Sequence, residues 1–265
     1  MAAFNEIAPL TLMRLIGTPA CPVLVDVFVD DDFAADPYLI PTAFRHRFDD
    51  IVGLTARLEG RATVIICQKG KKLSHGVAAL LRAAGHDAQV LTGGNLGWRD
   101  AALPRVPAKA IPGPLWVTRH RPKIDRIACP WLIRRFVDPS AEFMFVPTAE
   151  VSMVAEKFGA TPFDIDDTFW SHRGDACTFD TMIAEFGLSH PAIDGLALVV
   201  RAADTDRHDL SPQAAGLLAL SVGLSRMYRD DTAQLQAGIG IYDALYRWAR
   251  DGQDEGHDWP AGRGA

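Results

Sequence analysis

The sequence predicts an α/β fold, in which a parallel sheet with flanking helices is followed by a second, α+β domain that is mostly helical. In the first part, short apolar runs rich in β-branched residues alternate with segments whose apolar residues recur at helical spacing. The mostly helical character of the second domain is predicted from four long helical patterns, the first of which begins near residue 179. A chain of 265 residues is long enough for two ordinary domains.

The first half of the chain alternates predicted strands and helices. Val64, Ile65 and Ile66 form an apolar β-branched run that is typical of a buried parallel strand, and helical spacing begins at Val77. Because alternating elements imply parallel βα units, we expect ligands beyond the carboxyl ends of these strands. The elements predicted here are a helix or turn at 8–16, a strand at 23–27, a helix at 44–58, a strand at 64–66, a helix ending at 84 and a strand at 88–91.

Four prolines within eleven residues separate the two halves. Proline this dense disfavours both helices and central strands, so we predict a short, stiff linker at 107–114. The linker would join a first domain at 1–106 to a second domain at 115–252, followed by a flexible tail at 253–265. The second domain is predicted to contain strands at 116–118, 142–146 and 163–165, and helices at 148–158, 179–187, 191–203, 212–228 and 232–250, with Ser211 as an N-cap.

The composition is that of a globular protein. Charged residues make up 23% and hydrophobic residues 48% of the chain, and no apolar run reaches the length of a membrane helix. The four cysteines are scattered and residues 1–6 do not begin a secretory signal, so we expect a cytoplasmic protein. The net charge of −6 comes from residues 109–265 and neither half is basic, so DNA binding stays open but is not favoured.

Cys67 lies where a predicted strand ends and a helix is about to begin. Backbone N–H groups of a curled loop and of a helix N-terminus both favour an anion at such a place. Lys69, Lys71 and Lys72 add positive charge, and each of these features stabilises a thiolate over a thiol. We therefore predict a reactive cysteine. The alternative is a buried, inert cysteine in an α/β core.

The residues around this cysteine resemble the rhodanese family. The resemblance rests on the Cys-x-x-Gly-x-basic loop at 67–72, the Thr-Gly-Gly-Asn-Leu-Gly-Trp segment at 92–98, the Asp-Val ending of the strand at 23–27 and the Leu-Ile-Pro-Thr-Ala segment at 39–43. It covers roughly residues 8–103 and implies a rhodanese-like sheet. Family members form a persulfide on the loop cysteine and pass its sulfur on, which implies that Cys67 is the nucleophile. The anion-binding loop would comprise Gln68, Lys69, Gly70, Lys71, Lys72, Leu73 and Ser74.

Two positions depart from the rhodanese pattern. Phe28 and Lys72 stand where many family members have arginine, and this leaves the preferred sulfur donor open. A phosphatase of the Cys-x₅-Arg type is disfavoured, because Leu73 stands where the arginine of that motif would be.

A second resemblance covers roughly residues 115–250. The segment at 116–136, the His-Arg-Gly at 172–174, and the stretches at 201–206 and 214–219 resemble the C-terminal domain of the ChrB chromate-resistance family. The resemblance implies a link to chromate response and resistance. Some family members resemble regulators with a DNA-binding N-terminal domain, which this chain replaces by a rhodanese-like one. A chromate-responsive transcriptional regulator, or a sensor that binds an oxyanion or a metal, therefore remains the alternative function.

Six basic residues lie within 17 positions of the second domain, with Asp125 the only acid among them. The rest of that domain is acidic, so this stretch is suited to a small oxyanion such as chromate or to an acidic partner. The alternative is a solvated face whose arginines pair with acidic groups. The six residues are Arg119, Arg121, Lys123, Arg126, Arg134 and Arg135.

A group of histidine and aspartate residues is the candidate metal site. Imidazole and carboxylate ligands together suit zinc, manganese or iron. Caps, turns and surface ion pairs explain the same residues, because their spacing matches no strong metal motif. The candidate ligands are His172, Asp175, Asp204, Asp206 and His208, with Asp209 beside them.

Cys129 precedes Pro130, and proline fits the first position of a helix. This arrangement predicts Cys129 as an N-cap, with a thiol pKa lowered by unpaired backbone N–H groups and by Arg126. Such a thiol beside the arginines could bind an oxyanion or react with an oxidising one. The alternative is a buried cap whose thiol only packs.

The function predicted from the sequence is that of a rhodanese-like sulfurtransferase coupled to a domain that responds to chromate and binds an oxyanion or a metal. Sulfur transfer itself requires no cofactor, and a divalent metal is expected only in the second domain. The expected partners are a small-molecule or protein sulfur acceptor, and no membrane association is expected.

Overall fold

The computed structural model describes residues 5–256. The predictions about a secretory signal at 1–6 and a flexible tail at 253–265 fall partly outside that range. The strands are β1 (Glu6–Ile7), β2 (Val23–Asp26), β3 (Tyr38–Leu39), β4 (Phe44–Arg45), β5 (Thr63–Ile66), β6 (Ala88–Leu91), β7 (Val106–Pro107), β8 (Leu115–Arg119), β9 (Glu142–Val146) and β10 (Thr161–Pro162). The helices are α1 (Pro9–Met13), α2 (Asp30–Ala35), α3 (Ile51–Leu58), α4 (Lys72–Ala83), α5 (Gly94–Asp100), α6 (Asp125–Leu132), α7 (Val151–Phe158), α8 (Thr178–Phe186), α9 (Pro191–Asp204), α10 (Ala214–Met227) and α11 (Asp231–Asp251).

The first half contains a five-stranded sheet in the order β1-β6-β5-β2-β4, and every pairing in it is parallel. β5 is the central strand, and all four of its residues are buried. This burial on both faces explains why the strand is an uninterrupted apolar, β-branched run. The predicted α/β class is thereby confirmed, and the chain leaves the central strand at Cys67, on the carboxyl edge of the sheet.

The second half combines a parallel sheet of order β10-β8-β9 with a group of helices. Trp131 on α6 is fully buried, and its ring lies 5.6 Å from the rings of Phe136 and Tyr246 and 6.3 Å from those of Phe179 and Tyr242. These aromatic contacts join α6 to α8 and α11. The predicted α+β domain with mostly helical content is confirmed.

Three of the predicted elements differ from the structure. The helix predicted at 44–58 is in fact a short strand, β4, followed by α3, which begins after Asp50 because the Asp50 carboxylate accepts the Gly53 N–H at 2.8 Å. In place of the strand predicted at 163–165, the structure has β10, which ends at Pro162. Ser211 does not cap α10, since its hydroxyl hydrogen-bonds to Gln213 at 2.8 Å and the helix begins at Ala214.

The proline-rich segment is integrated into the fold. β7 pairs antiparallel with β3, and a 3-10 turn follows at Ala108–Ala110. The two halves also meet directly, because the Thr42 N–H donates to the Phe136 carbonyl at 3.0 Å and one continuous hydrophobic core contains residues of both. Across residues 5–256, no helix combines the length and hydrophobicity that crossing a membrane would require.

Candidate functional site

Cys67 follows the central strand directly, and its thiol faces the loop that begins helix α4. The Lys71 backbone N–H donates to Cys67 Sγ at 3.3 Å, and Ser74 Oγ lies 3.1 Å from the same sulfur. The Ser74 hydroxyl also donates to the Lys71 carbonyl at 3.0 Å. Cys67 is only 6% exposed, so a backbone donor and a buried hydroxyl determine the environment of its sulfur.

A second loop, residues 92–93, together with the first turn of helix α5, holds the cysteine loop in place. The Asn95 N–H donates to the Cys67 carbonyl at 3.1 Å, and the Leu96 N–H donates to the Gln68 carbonyl at 3.0 Å. Gly94 has a φ of +59°, and a Cβ added there would overlap the Cys67 carbonyl and the Gly70 nitrogen. Glycine is therefore required at position 94 by both its backbone conformation and the close approach of the cysteine loop.

The predicted anion-binding loop is brought together around this sulfur. Lys69, Lys71 and Lys72 are exposed at its rim, and Lys72 is the first residue of α4. The remaining members contribute backbone and packing: Gln68, Gly70 and Leu73 are half-buried, and Ser74 is fully buried. Three cations therefore surround the entrance to a largely buried thiol, which is an arrangement that attracts small anions.

The other three thiols are held in their neutral form. Burial raises the pKa of the half-buried Cys21 to about 11. Burial, followed by the charge of Asp125, raises the pKa of both Cys129 and Cys177 well above the ordinary value. A thiolate is the reactive form of cysteine, so burial disfavours these three positions as nucleophiles.

The prediction for Cys129 is wrong. Helix α6 begins at Asp125 rather than after Cys129, and Pro130 lies inside it. Cys129 is completely buried, so desolvation raises its thiol pKa instead of the helix N-terminus lowering it. A π-helical turn at Ile133–Val137 follows the helix directly.

Asp26 is a buried carboxyl group next to the central strand. It is the last residue of β2 and pairs in register with Ile66, the residue before Cys67. Its carboxylate accepts the Phe28 N–H at 2.8 Å, yet burial raises its pKa to about 7. In the sequence, only its place in the Asp-Val ending of the strand pointed to it.

A second cluster of ionisable groups lies at the carboxyl end of the second sheet. His172 Nε2 is 3.2 Å from Asp204 Oδ2, 3.5 Å from Asp164 Oδ1 and 3.7 Å from Asp125 Oδ2. We call these four residues the Asp/His cluster. Asp125 and Asp164 are buried, whereas the His172 side chain is 41% exposed. The cluster is therefore a charged site with one opening to solvent.

Four different segments contribute to the Asp/His cluster. Asp164 follows β10, Asp125 is the first residue of α6 after the loop that leaves β8, Asp204 is the last residue of α9, and His172 lies in the loop before α8. Because β8 and β10 are parallel neighbours, residues that follow them meet at the same edge of the sheet.

The charges in the Asp/His cluster perturb one another. Hydrogen bonding of His172 to the carboxylates of Asp164 and then Asp204 raises its pKa to about 10. Burial and the charge of Asp204 raise the pKa of Asp125 well above its ordinary value. Burial opposes ionisation of Asp164 as well, but the His172 hydrogen bond and the Arg126 charge hold its pKa below the usual range.

The six basic residues do not share one site. Arg119 Nη2 and Arg126 Nε each lie 3.2 Å from Asp164 Oδ2. Arg134 donates to the Ala141 carbonyl at 3.1 Å, and Arg135 pairs with Asp243 at 2.7 Å. The single oxyanion patch predicted from the sequence is therefore wrong, because its arginines serve separate structural contacts. The two remaining members differ: Arg121 donates to the Ser225 carbonyl, and Lys123 is exposed.

The predicted metal ligands are only partly brought together. Two of them, His172 and Asp204, belong to the Asp/His cluster, but Asp206 and His208 form a separate pair at 3.4 Å, and Asp209 pairs with Arg207. The exposed Asp175 is not a member of the cluster either. Asp125 and Asp164 were missed as candidates. One feature of the sequence pointed to Asp125, which is the only acid in a basic stretch, whereas no feature pointed to Asp164.

Comparison with known proteins agrees with the second resemblance. The family described as "ChrB, C-terminal domain" matches residues 116–249, which is half of the chain. The chain belongs to the ChrB C-terminal domain family. All four residues of the Asp/His cluster lie within the matched segment. Protein ChrB of Cupriavidus metallidurans is 31% identical over 145 residues, covering 54% of this chain and 43% of that protein, so the chain spans less than half of that relative's length.

Solved structures similar to this ChrB-family chain align with little more than a third of it. A rhodanese-related protein from Thermoplasma volcanium is 18% identical over 39% of this chain and 98% of that protein, with a TM-score of 0.34. A rhodanese-like domain protein from Staphylococcus aureus is 28% identical over 36% of this chain and 91% of that protein, with a TM-score of 0.32. A thiosulfate sulfurtransferase from Pseudomonas aeruginosa is 24% identical over 38% of this chain and 19% of that protein, with a TM-score of 0.32.

Proposed function

We propose that the first domain is a sulfurtransferase in which Cys67 is the nucleophile. One observation supports this most strongly: Cys67 Sγ lies at the carboxyl end of the central parallel strand and accepts a backbone N–H from Lys71 at 3.3 Å. A hydrogen bond of this kind stabilises a thiolate, and loop amides beside it can stabilise an incoming anion. Burial raises the thiol pKa of the other three cysteines, which disfavours them as nucleophiles.

The proposed reaction has two steps, written here for thiosulfate as donor. The Cys67 thiolate attacks the outer sulfur of thiosulfate, a new S–S bond forms, and the old S–S bond breaks as sulfite leaves with the electron pair. A nucleophilic acceptor then attacks the outer sulfur of the Cys67 persulfide and releases the thiolate. Neither step involves a net oxidation or reduction by an outside reagent, so no redox cofactor is required.

The loop between Gln68 and Ser74 would bind the charged part of the donor. Its backbone N–H groups would stabilise the charge that accumulates on the leaving group in the transition state. Exposed Lys69, Lys71 and Lys72 would raise the local concentration of an anionic donor through long-range attraction. Phosphoryl transfer is a poorer fit, because half-buried Leu73 contributes no charge at the position where a phosphatase has arginine.

The experiment is a thiosulfate:cyanide sulfurtransferase assay on the full chain. We expect Cys67→Ser to abolish thiocyanate formation, whereas Cys21→Ser leaves it unchanged. Cys21 is a suitable control because it is the only other thiol in the described residues that is not fully enclosed. Full activity in the Cys67 variant would disprove the assignment, and so would an inactive wild-type protein tested with thiosulfate, glutathione persulfide and a protein persulfide as donors.

Membership of the ChrB family associates the chain with chromate resistance, and we propose that sulfur transfer by the first domain contributes to that role. The test is growth on chromate of a strain that lacks this protein and is complemented with the wild type or with Cys67→Ser. We expect the wild type to restore growth and the variant to fail. Equal complementation by both would separate chromate resistance from the Cys67 chemistry.

A further inference from the structure

We propose that the second domain binds one divalent transition-metal ion of the zinc or manganese class in the Asp/His cluster, with Asp125, Asp164, His172 and Asp204 as its ligands. The proposal concerns a site separate from Cys67 and does not depend on sulfur transfer. It changes the ligand set expected from the sequence, because it adds two buried aspartates and omits the exposed Asp175 and Asp206 and the half-buried His208.

The geometry around His172 is the first support. Three carboxylates approach the single nitrogen Nε2 at 3.2, 3.5 and 3.7 Å, yet this nitrogen carries at most one proton to donate. Ligand atoms of Asp125, Asp164 and His172 all lie within 4.8 Å of one another. Ligands about 2 Å from a zinc ion lie up to about 4 Å apart, so a small contraction of the cluster suffices to hold an ion.

Asp125 provides an independent observation. Its side chain is completely buried, and within residues 5–256 its Oδ1 atom accepts no N–H or O–H group. The carboxyl group also interacts with the Cys177 thiol, which is only a weak donor. The other oxygen, Oδ2, accepts the Phe179 N–H at 3.3 Å and faces His172. A buried carboxylate that is not fully paired is strongly destabilising, and a bound cation would remove that penalty.

The nearby arginines do not take the place of such an ion. The contacts of Arg119 and Arg126 with the cluster are both made to Asp164 Oδ2. Asp164 Oδ1 accepts the Thr178 hydroxyl at 2.9 Å and still has a lone pair directed to the cluster. His172 is the cation in direct contact with Asp125 and Asp204, whereas Arg126 acts on both only at longer range. The imidazole would bind a metal in its neutral form, through the lone pair of Nε2.

The backbone holds Asp125 in place. The preceding residue, Ile124, has a φ of +39°, an unfavourable value for a β-branched side chain. Buried hydrogen bonds maintain it: the Ile124 N–H donates to Ser221 Oγ at 3.1 Å, and the Tyr242 hydroxyl donates to the Ile124 carbonyl at 2.9 Å. A site held in this way loses little conformational freedom when it binds an ion.

The donor set indicates the kind of metal. One imidazole and three carboxylates suit zinc, manganese or iron, whereas calcium and magnesium favour sites built from oxygen alone. The 41% exposure of His172 provides an entry path and leaves one side of the ion open. Arg119, also 41% exposed, lies beside that opening.

The experiment is calorimetric titration of the full chain, stripped with a chelator, with zinc chloride and separately with manganese chloride. We expect about one equivalent of saturable binding by the wild type, and at least about tenfold weaker binding by His172→Ala and Asp125→Asn. His208→Ala is the matched control, because it removes an imidazole that is also paired with an aspartate but lies outside the cluster. Cobalt titration should add a visible absorption band that His172→Ala lacks.

Three results would overturn the proposal: no saturable binding of either metal, wild-type affinity in His172→Ala, or an equal loss of affinity in His208→Ala. If Asp125→Asn fails to fold, as judged by circular dichroism, the half-exposed His172 variant decides the question. Cys67→Ser should bind the metal normally, which keeps the outcome separate from that of the sulfur-transfer test.

Discussion

Replacing Ser74 by alanine tests whether the buried hydroxyl beside Cys67 stabilises its thiolate. In the thiol form, the S–H group can donate to Ser74 Oγ while the hydroxyl donates to the Lys71 carbonyl. In the thiolate form, the hydroxyl turns to the sulfur and gives up that carbonyl. The carbonyl is not left unpaired, because it also accepts the His75 N–H at 3.0 Å in helix α4.

The expected magnitude follows from this exchange of hydrogen bonds. A bond to a charged acceptor contributes about 1.5–3 kcal/mol, and the neutral bond to the Lys71 carbonyl contributes about 0.5–1.5 kcal/mol. The S–H group is a weak donor and adds little to the thiol form, so the hydroxyl favours the thiolate by about 1 kcal/mol. Loss of that amount changes the equilibrium between thiol and thiolate about fivefold. We therefore expect Ser74→Ala to react about fivefold more slowly with iodoacetamide at pH 7 and to approach the wild-type rate at high pH.

The assay is the pH dependence of alkylation of Cys67, followed by peptide mass spectrometry. Thr55→Ala is the matched control, because its hydroxyl makes the same kind of local bond, to the Val52 carbonyl at 2.8 Å, on a helix that does not carry the cysteine loop. An unchanged rate for Ser74→Ala at pH 7, in a protein with a native circular dichroism spectrum, would refute the role assigned to this hydroxyl.

Two further substitutions probe the sheet edge that carries the site. Gly94→Ala should destabilise the protein by at least about 1–2 kcal/mol in urea unfolding, because alanine is strained at a φ of +59° and its Cβ would overlap the cysteine loop. Gly76→Ala, where a Cβ meets open space, should not destabilise, and equal losses would contradict the reasoning. For Asp26, the raised pKa means that the native state binds its proton more tightly, so stability is lost as the pH rises from about 4 through about 7. Asp26→Asn should therefore be more stable than wild type at pH 8, by up to roughly 4 kcal/mol, and nearly equal to it at pH 4; equal melting temperatures at pH 8 would contradict this.

The position of Cys67 at the end of the central strand was predictable because the signals around it are local. A buried strand, a loop and a helix follow one another within about twenty residues, and each has its own pattern of apolar residues. The role of Gly94 was less accessible, since a glycine in a turn does not show which other loop approaches it. That contact depends on the pairing of β5 with β6, which brings two loops to the same edge.

The full Asp/His cluster could not be predicted from the sequence. Its members are spread from position 125 to position 204, and the sheet, a loop and two helices bring them together. His172 and Asp204 were found as residues of the right chemistry, but Asp164 follows a strand of only two residues, which periodicity does not detect. Cys129 failed for another reason: proline is common at the first position of a helix, yet here tertiary packing of Trp131 and its neighbours keeps Pro130 inside one.

The most direct test of the central claim is peptide mass spectrometry of the full chain after incubation with thiosulfate and removal of the excess donor. The account predicts that the peptide containing Cys67 gains the mass of one sulfur atom and loses it again on addition of cyanide. The peptides containing Cys21, Cys129 and Cys177 should stay unmodified. A persulfide on one of those three thiols, or an unmodified Cys67 with every persulfide donor tested, would contradict it.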